Sequence, residues 1–389
     1  MKDHFEKILG GLHALDNKND LQAYSYDGSG IEGKARIVLF PETNEQLRQI
    51  ITYANRTNIP IIVRGMGTNP LGMTVPYNAI VIDMGKFDKI LTINLAEEYI
   101  ITQTGVLINE IQHVLKKYNY AFPVLPESAK IATIGGFLAV NQMDMNSFQN
   151  GRIDRYVQNI ELFDGTGKYY DQGDKRFIGM EGIGALFTQV KIKIVPETSY
   201  ASTSLLAFEQ IHELVDTLER LQKEKNILCI EYINPFLSEL FDFKTKHHLL
   251  LGYSTQEGEI KNQEIQDKLW NMRKECWKAA SQQGFGILED VLIPTAKLYE
   301  FITWVQEKNI LLAGHAGMNI YHPFLKNEEE VQEVYSFVQS IGGEMCGQFG
   351  YGIKKKEYVS EKKKDLLIQL REEYDYNNII GRGKLYDYV

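Results

Sequence analysis

The feature that most constrains the fold is a glycine-rich segment, Arg64–Gly72, which directly follows the apolar run Ile59–Val63. A strand that runs into closely spaced glycines can present bare backbone N–H groups to an anion, because glycine tolerates positive φ and close approach. A second glycine pair lies in Thr133–Gly136. The spacing is not the dinucleotide fingerprint, since the third glycine comes too late and Thr74–Pro76 interrupts any following helix. Two glycine clusters favour a pyrophosphate cradle, and a structural turn is the alternative.

Length and composition limit the class of protein. With 389 residues, the chain can form two or three domains. A net charge of −9 argues against nucleic acid or an anionic membrane as the main partner. No segment has the length of a membrane span, the N-terminus lacks a signal-peptide core, and the three cysteines form no Cys-x-x-Cys pair. We therefore expect a cytoplasmic protein without a disulfide framework, zinc ribbon or iron–sulfur cluster.

The hydrophobic periodicity predicts an α+β or α/β arrangement for the first 200 residues and a second α+β domain after a boundary at Pro196–Ser199. Helices are predicted at 3–15, 43–56, 109–118, 208–223, 261–282 and 361–374. Strands are predicted at 36–40, 60–63, 79–84, 99–105, 157–163, 189–195, 249–253 and 310–314. Asp164–Gly167 has the composition of a hairpin turn.

The order of several motifs resembles FAD-linked oxidases with a vanillyl-alcohol-oxidase-type (PCMH-type) flavin domain. These motifs are Pro41–Thr43, Arg64–Gly72, Pro126–Ser128, Thr133–Gly136, Asp164–Gly165 and Glu181–Gly184. The later half is similar to the glycolate oxidase and D-lactate dehydrogenase branch through Leu269–Lys274, Asp290–Pro294, Gly314–His322, Gly342–Gly352 and Asp375–Lys384. The resemblance implies an α+β protein with a two-subdomain PCMH-type FAD-binding domain at 1–198. A reduced α+β cap domain at 199–345 and a short C-terminal helical segment at 346–389 would follow.

The same resemblance implies residues that hold FAD. They are Arg64, Gly65, Met66, Gly67, Thr68, Asn69, Gly72, Ser128, Thr133, Gly135, Gly136, Asn141 and Gly182. The glycine loop and the Thr133–Gly136 turn would grip the diphosphate through backbone amides. Positions 65–76 contain neither His nor Cys, and neither occurs between His113 and His212. We therefore expect FAD to be bound non-covalently.

The resemblance also implies a substrate site for a small 2-hydroxy acid. Arg273 would hold the substrate carboxylate as a bidentate fork, and His315 and His322 match two ligands of a divalent metal, zinc or manganese. The family's Glu ligand and His base correspond to Gln348 and Phe349 here. Gln348 would be a weaker ligand and Phe349 accepts no proton. Leu288 stands where some members have a lysine.

Plainer interpretations of these residues remain open. Arg273 fits a salt bridge or a solvated helix face as well as substrate binding, and His315 and His322 fit structural roles. The histidines would point to opposite faces of one strand unless Gly317 forms a bulge. His247-His248 has the composition of a solvated patch, and Lys354–Lys356 that of a surface run. The alternative bases, in place of Phe349, are Tyr321, Tyr351, His247 and His248.

Two functions therefore compete. The first is an FAD-linked 2-hydroxy-acid dehydrogenase or oxidase. The second is an FAD-binding subunit without catalysis, which serves a larger oxidase complex or transfers electrons. Because the chain has no cysteine cluster, electrons would leave to oxygen, a quinone, an electron-acceptor protein or a second oxidase subunit. A reductase of a nucleotide-sugar enoyl ether shares the glycine loop but not the histidine strand.

Overall fold

The structure is a computed structural model that describes residues 1–10, 13–197, 199–345 and 348–385. These residues form two compact units. The first unit falls within Met1–Gln142, Arg152–Glu197 and Phe349–Val389, and the second within Met143–Gly151 and Thr198–Gln348. The expected domain limit at Thr198 and the residues Cys346 and Gly347 of the motif Gly342–Gly352 lie outside the described residues. The domain limits from the sequence stay a prediction. They place 143–151 in the FAD-binding domain, whereas the structure groups these residues with the second unit.

The α+β class expected from the sequence is confirmed. The helices are α1 Lys2–Leu9, α2 Lys18–Ala23, α3 Asn44–Thr57, α4 Ile108–Lys116, α5 Ile134–Val140, α6 Ser147–Asn150, α7 Ile211–Leu221, α8 Pro235–Glu239, α9 Gln263–Lys274, α10 Cys276–Gln282, α11 Leu298–Glu307, α12 Glu328–Ser340 and α13 Glu361–Tyr374. The strands are β1 Ala14–Leu15, β2 Lys34–Leu39, β3 Ile61–Arg64, β4 Tyr77–Asp83, β5 Ile90–Asn94, β6 Tyr99–Gln103, β7 Tyr120–Ala121, β8 Val157–Asp164, β9 Tyr169–Tyr170, β10 Ala185–Lys193, β11 Val195–Pro196, β12 Ser202–Phe208, β13 Ile227–Ile233, β14 His247–Tyr253, β15 Ile287–Leu288, β16 Val291–Leu292, β17 Leu311–His315 and β18 Ile320–Leu325. Among the described helices, none has the length and apolar character that a membrane crossing requires.

A four-stranded sheet in the order β1-β2-β4-β3 forms one part of the first unit. Strands β2, β4 and β3 run parallel, and α3 makes the crossover from β2 to β3. Helix α3 begins with a capping box between Thr43 and Gln46 and ends at Asn58, which has a φ of 52°. Its buried apolar face packs on this sheet. The glycine loop therefore begins where the parallel strand β3 ends.

A five-stranded antiparallel sheet, β5-β6-β10-β8-β9, forms the other part of this unit. The predicted hairpin turn joins β8 to β9, and Asp164 Oδ1 accepts hydrogen bonds from the Thr166 and Lys168 amides. The segment after α13 returns to β3. Ile61 N–H donates to Ile379 O at 2.7 Å, and Gly381 N–H donates to Ile61 O at 2.9 Å.

The second unit is built on an antiparallel sheet in the order β12-β14-β13-β17-β18-β15, and β16 also pairs with β18. The register places Ile233 opposite Ala313 and Ala313 opposite His322. Because side chains alternate along a strand, Glu231, His315 and His322 project from one face of this sheet. Helices α9 and α10 cover that face, where Cys276 and Ala280 pack on Ile233, Ala313 and Phe324.

Three local predictions were wrong. The helix expected at 3–15 ends at Leu9, because Gly10 takes a φ of 85° and the chain enters β1. The helix expected at 261–282 is two helices, which are interrupted at Glu275. The turn expected at Thr133–Gly136 is the start of α5, which Thr133 caps through Gly136 N–H at 3.2 Å.

Candidate functional site

A cavity of about 220 Å³ in the first unit is lined by the glycine loop. We call it the glycine-loop cavity. Ten of the expected cofactor residues line it: Gly65, Met66, Gly67, Thr68, Asn69, Ser128, Thr133, Gly135, Gly136 and Gly182. Sequence reasoning did not include several further lining residues, among them Thr104, Gln142, Glu181 and Phe349.

Glycine is required at two lining positions by close backbone contacts. A Cβ on Gly65 would overlap Thr133 Oγ1, the atom that caps α5. A Cβ on Gly135 would lie 2.8 Å from the Thr104 carbonyl oxygen. Each glycine cluster thus contacts another element of the same unit at a distance that excludes a side chain. Backbone atoms therefore form this part of the cavity wall.

The available amides of the cavity lie on the glycine loop. Within the described part of the chain, the backbone N–H groups of Met66, Gly67, Thr68 and Asn69 donate no hydrogen bond to another protein group. The first amides of α5 differ, since Ile134 N–H donates to Val106 O and Gly135 N–H to Thr104 O, at 2.9 and 2.8 Å. The expectation that Thr133–Gly136 grips an anion through its backbone amides is therefore not met at these two positions.

Polar side chains of the cavity divide into available and occupied groups. The Thr68 and Ser128 hydroxyls form no hydrogen bond with other described residues. Asn69 is occupied, because its Nδ2 donates to Phe349 O at 3.1 Å and its Oδ1 accepts from Leu71 N–H at 2.8 Å. Asn69 thus ties the glycine loop to the segment that carries Phe349.

Three expected cofactor residues lie outside the cavity lining. Arg64 donates to Tyr26 O at 2.7 Å and lies over the Tyr24 ring, and burial lowers the pKa of its guanidinium. Gly72 has a φ of 87° and faces Ile353. Asn141 ends α5 at a φ of 55°, and its Oδ1 accepts from Asp154 N–H at 3.3 Å. All three residues thus stabilise the conformation of the neighbouring backbone.

Glu181 contributes a buried carboxylate to the cavity wall. It adopts a φ of 58°, and its two oxygens accept from Tyr351 N–H at 2.9 Å and Gly352 N–H at 2.8 Å. Lys363 Nζ lies 3.3 Å from Oε1. Burial lowers the pKa of the nearby Lys384 to about 8, although Glu181 and Asp27 oppose this effect. Glu181 and Gly182 are adjacent in the sequence, but only Gly182 is among the cofactor residues that the resemblance implies.

A second cluster lies wholly within the second unit, on the face of the sheet under α9. The Glu231 carboxylate contacts Arg273 Nη2 at 2.7 Å through Oε2 and His315 Nδ1 at 2.8 Å through Oε1. The His315 and His322 ring centroids are 5.1 Å apart, and His315 Nε2 lies 3.2 Å from Gln348 Oε1. The structure therefore brings Arg273, His315, His322 and Gln348 together. We call these four residues and Glu231 the histidine cluster.

The two histidines lie on different strands of a hairpin. A 3₁₀ turn at Ala316–Met318 and Asn319, with a φ of 59°, separates β17 from β18. The expectation that both histidines lie on one strand was wrong, because a hairpin, rather than a bulge at Gly317, returns His322 to the face of His315. Arg273 forms a salt bridge with Glu231, as the plainer interpretation of this residue predicts.

One pair of donor atoms in the histidine cluster has the spacing of two ligands of a single metal ion. The Nδ1 atoms face oxygen acceptors, Glu231 Oε1 for His315 and Glu289 O at 3.2 Å for His322, which is the usual outer contact of a metal-binding imidazole. Gln348 Nε2 donates to Met143 O at 2.8 Å, and this contact orients Oε1 toward His315 Nε2. Two ligands at about 2.1 Å from one ion would be about 3.0–3.4 Å apart, close to the observed 3.2 Å. The described residues contain no group of three or more His, Cys, Asp or Glu side chains that could hold a metal.

The four alternative bases occupy different positions in the two units. Tyr321 and His247 belong to the opposite face of the sheet, where His247 Nδ1 lies 2.7 Å from the Tyr232 hydroxyl. Burial lowers the pKa of His247 to about 4 and raises that of Tyr321. The solvated patch expected at His247-His248 was wrong, because both side chains are buried in β14. Tyr351 belongs to the first unit, where Lys363 lies over its ring.

Comparisons with known proteins agree with these features. Residues 35–173 match the family described as FAD binding domain, and residues 247–385 match the C-terminal domain of FAD linked oxidases. The chain is 23% identical to the glycolate oxidase subunit GlcD of Bacillus subtilis, over 99% of this chain and 96% of that protein. It is 22% identical to a D-lactate dehydrogenase of Archaeoglobus fulgidus, over 90% and 91% of the two chains.

Two further proteins extend the comparison. A probable mitochondrial D-2-hydroxyglutarate dehydrogenase of Oryza sativa subsp. japonica is 22% identical, over 98% of this chain and 81% of that protein. A solved structure of alkyldihydroxyacetonephosphate synthase has the same fold, with a TM-score of 0.70 at 15% identity over 97% of this chain and 84% of that one. The chain belongs to the FAD-linked oxidase family, in the group that contains glycolate oxidase subunits and D-lactate dehydrogenases.

Proposed function

We propose that the protein is an FAD-dependent dehydrogenase or oxidase of a small 2-hydroxy acid of the D-lactate or glycolate kind. The observation that carries the proposal is the convergence of His315, His322 and Gln348 beside Glu231 and Arg273 on one buried face. In the reaction, the substrate loses a hydride from its hydroxyl-bearing carbon and a proton from the hydroxyl, and a 2-oxo acid results. The names of the relatives support this substrate class.

The glycine-loop cavity would hold FAD. The amides of Met66–Asn69 would donate to the diphosphate, and the Thr68 and Ser128 hydroxyls would add side-chain hydrogen bonds. When bound, FAD supplies the acceptor for the hydride. The cavity lining that the structure describes includes neither His nor Cys, which supports non-covalent binding. Flavin that stayed with the protein pellet after SDS or acid denaturation would contradict this.

His315, His322 and Gln348 would hold zinc or manganese. When bound, the metal supplies a Lewis acid that lowers the pKa of the substrate hydroxyl. Glu231 keeps the His315 ring oriented through Nδ1, and Met143 O keeps the Gln348 amide oriented through Nε2. A neutral amide oxygen binds these metals more weakly than a carboxylate, so we expect weaker metal retention than in a His-His-Glu site.

Arg273 would contact the substrate carboxylate while it is also paired with Glu231. A guanidinium has five N–H donors, and the Glu231 contact involves Nη2. The side chains of Arg273 and Glu231 are only 5% and 0% exposed, so the attraction between charges is little screened by water. A substrate carboxylate would therefore compete with an internal carboxylate for one cation.

A specific observation favours a second candidate function, an FAD-binding subunit without hydroxy-acid chemistry. Phe349 lines the glycine-loop cavity, and its side chain offers no proton acceptor at the position where the resemblance implies a base. Such a subunit would transfer electrons to an acceptor protein or serve a second oxidase subunit. The glycolate oxidase relative is itself named as a subunit.

Anaerobic bleaching of bound flavin separates the two functions. The purified protein is loaded with FAD and either Zn²⁺ or Mn²⁺, and D-lactate, glycolate and D-2-hydroxyglutarate are added in turn. Rapid loss of the visible flavin absorbance with one of these acids supports the dehydrogenase. A yellow protein that none of them bleaches, yet that dithionite reduces, refutes it in favour of the second candidate. The double variant Gln348→Glu with Phe349→His tests whether lost activity can be restored.

A further inference from the structure

Glu231 is a buried residue to which the proposed reaction assigns no contact with substrate. The Glu231 carboxylate contacts both Arg273 and His315, at 2.7 and 2.8 Å, and the Glu231 side chain is fully buried. Arg273 comes from α9, and Glu231 from β13, 42 positions earlier. The internal carboxylate thus offsets the positive charge of Arg273 before any ligand arrives.

A further carboxyl group contacts the histidine cluster. The Asp290 carboxylate accepts a hydrogen bond from Gln348 N–H. This carboxyl group is buried. Leu288 pairs with Phe324 on the neighbouring strands, and both belong to the apolar cluster under α10. This side of the histidine cluster is therefore apolar and acidic.

On the basis of the proposed function, we infer that the site selects 2-hydroxy acids with one carboxylate over those with two, and that Glu231 determines this preference. A single substrate carboxylate can share the Arg273 fork with Glu231. A second carboxylate would enter surroundings that contain the carboxyl groups of Glu231 and Asp290 and the apolar side chain of Leu288. Like charges in a desolvated site repel strongly, so the dicarboxylic acid is disfavoured.

The matched variants are Glu231→Gln and Glu264→Gln. E231Q removes one negative charge and keeps a side chain of the same shape, with oxygen and nitrogen atoms that can still reach Arg273 and His315. E264Q removes a charge from an exposed i,i+4 pair with Lys268, at 2.8 Å on the same helix as Arg273. A third variant, Leu288→Lys, places a new cation at the partly buried Leu288 without touching Glu231.

Two quantities are measured for each variant. The first is the ratio of the second-order rate constant of flavin reduction by D-2-hydroxyglutarate to that by D-lactate, from anaerobic mixing. The second is the ratio of the Kd values of 2-oxoglutarate and pyruvate, from calorimetry without turnover. The wild type should prefer the monocarboxylic acid, and E231Q should move both ratios toward the dicarboxylic acid by at least about tenfold, while E264Q leaves them unchanged.

The outcomes separate this inference from the proposed function. Oxidation of no hydroxy acid, with no binding of either oxo acid, refutes the proposed function itself. Wild-type preference for the dicarboxylic acid, or a folded E231Q with unchanged ratios, overturns the inference while the proposed function stands. If E231Q does not fold, L288K decides instead, because the added cation should also shift both ratios toward the dicarboxylic acid. A folded L288K without that shift likewise overturns the inference.

Discussion

Removal of one partner of the Glu231–Arg273 ion pair should strongly destabilise the second unit. We consider Arg273→Met, Glu231→Gln and the double variant. The Arg273→Met change removes the guanidinium but keeps an unbranched apolar side chain, and it leaves the Glu231 carboxylate in contact with His315. The double variant removes both charges of the pair.

The magnitude follows from the geometry. At 2.7 Å, and with an effective dielectric constant of about 20, two unit charges attract by about 6 kcal/mol. Desolvation offsets part of this attraction, and the loss of one partner from a buried pair costs about 3–5 kcal/mol. Since E231Q/R273M leaves no unpaired charge of the pair, its destabilisation should be smaller than the sum for the single variants by about 2 kcal/mol or more.

The chain offers a selective probe for this experiment. Its three tryptophans, Trp270, Trp277 and Trp304, all lie in the second unit. Urea unfolding followed by tryptophan fluorescence therefore reports that unit, and E264Q serves as a surface control within about 0.5 kcal/mol of the wild type. Single-variant effects that add within about 0.5 kcal/mol in the double variant would refute a strong buried pair.

Three further perturbations test other parts of the structure. Gly135→Ala should lower the free energy of unfolding by about 1–3 kcal/mol and weaken FAD retention, because its Cβ would lie 2.8 Å from Thr104 O. The measurement is a thermal FAD-release assay, and Gly286→Ala, with open space at Cβ, is the control. Burial raises the pKa of Asp375 from 3.8 to about 7, so the protonated form is favoured in the fold and the free energy of unfolding falls by about 3 kcal/mol as pH rises from 4 to 7. Asp375→Asn should flatten that dependence in hydrogen exchange of residues 372–385, and an unchanged pH dependence would contradict the assignment. Gln348→Glu should tighten Zn²⁺ binding at least about tenfold in a chelator competition, and equal affinity would remove Gln348 from the metal site.

Local features of the fold could be predicted from the sequence. The run Ile59–Val63 followed by glycines fixes a strand end and a loop, and Asp164–Gly167 fixes a hairpin turn, because each depends on neighbouring residues only. The capping residues Thr43 and Gln46 likewise mark the start of α3. These predictions required no knowledge of distant contacts.

The sequence could not predict which backbone N–H groups already donate hydrogen bonds within the protein. Gly135 has the composition of an anion-binding turn, yet its N–H donates to Thr104, 31 positions earlier. The loop residues Met66–Asn69 have a similar composition and donate no hydrogen bond among the described residues. The difference depends on which strand end lies opposite each amide, and the local sequence does not contain that information.

Burial of polar residues was also beyond local reasoning. His247 and His248 follow Lys244 and Lys246, which suggested a solvated patch. They lie instead in β14, between β12 and β13, where both faces of the sheet are covered. Lys355 is likewise fully buried, although it stands in a run of three lysines that was expected at the surface. Charge patterns describe exposure only when the position of the strand or loop is known.

The two departures from the family pattern, Gln348 and Phe349, are adjacent in sequence but have separate physical settings. Gln348 belongs to the second unit, where its amide faces His315 and Met143. Phe349 belongs to the first unit, where it lines the glycine-loop cavity and Asn69 holds its carbonyl. A change at 348 should therefore act on metal affinity, and a change at 349 on the cavity lining. The apparent loss of one catalytic pair is better understood as two independent substitutions, which single variants can separate.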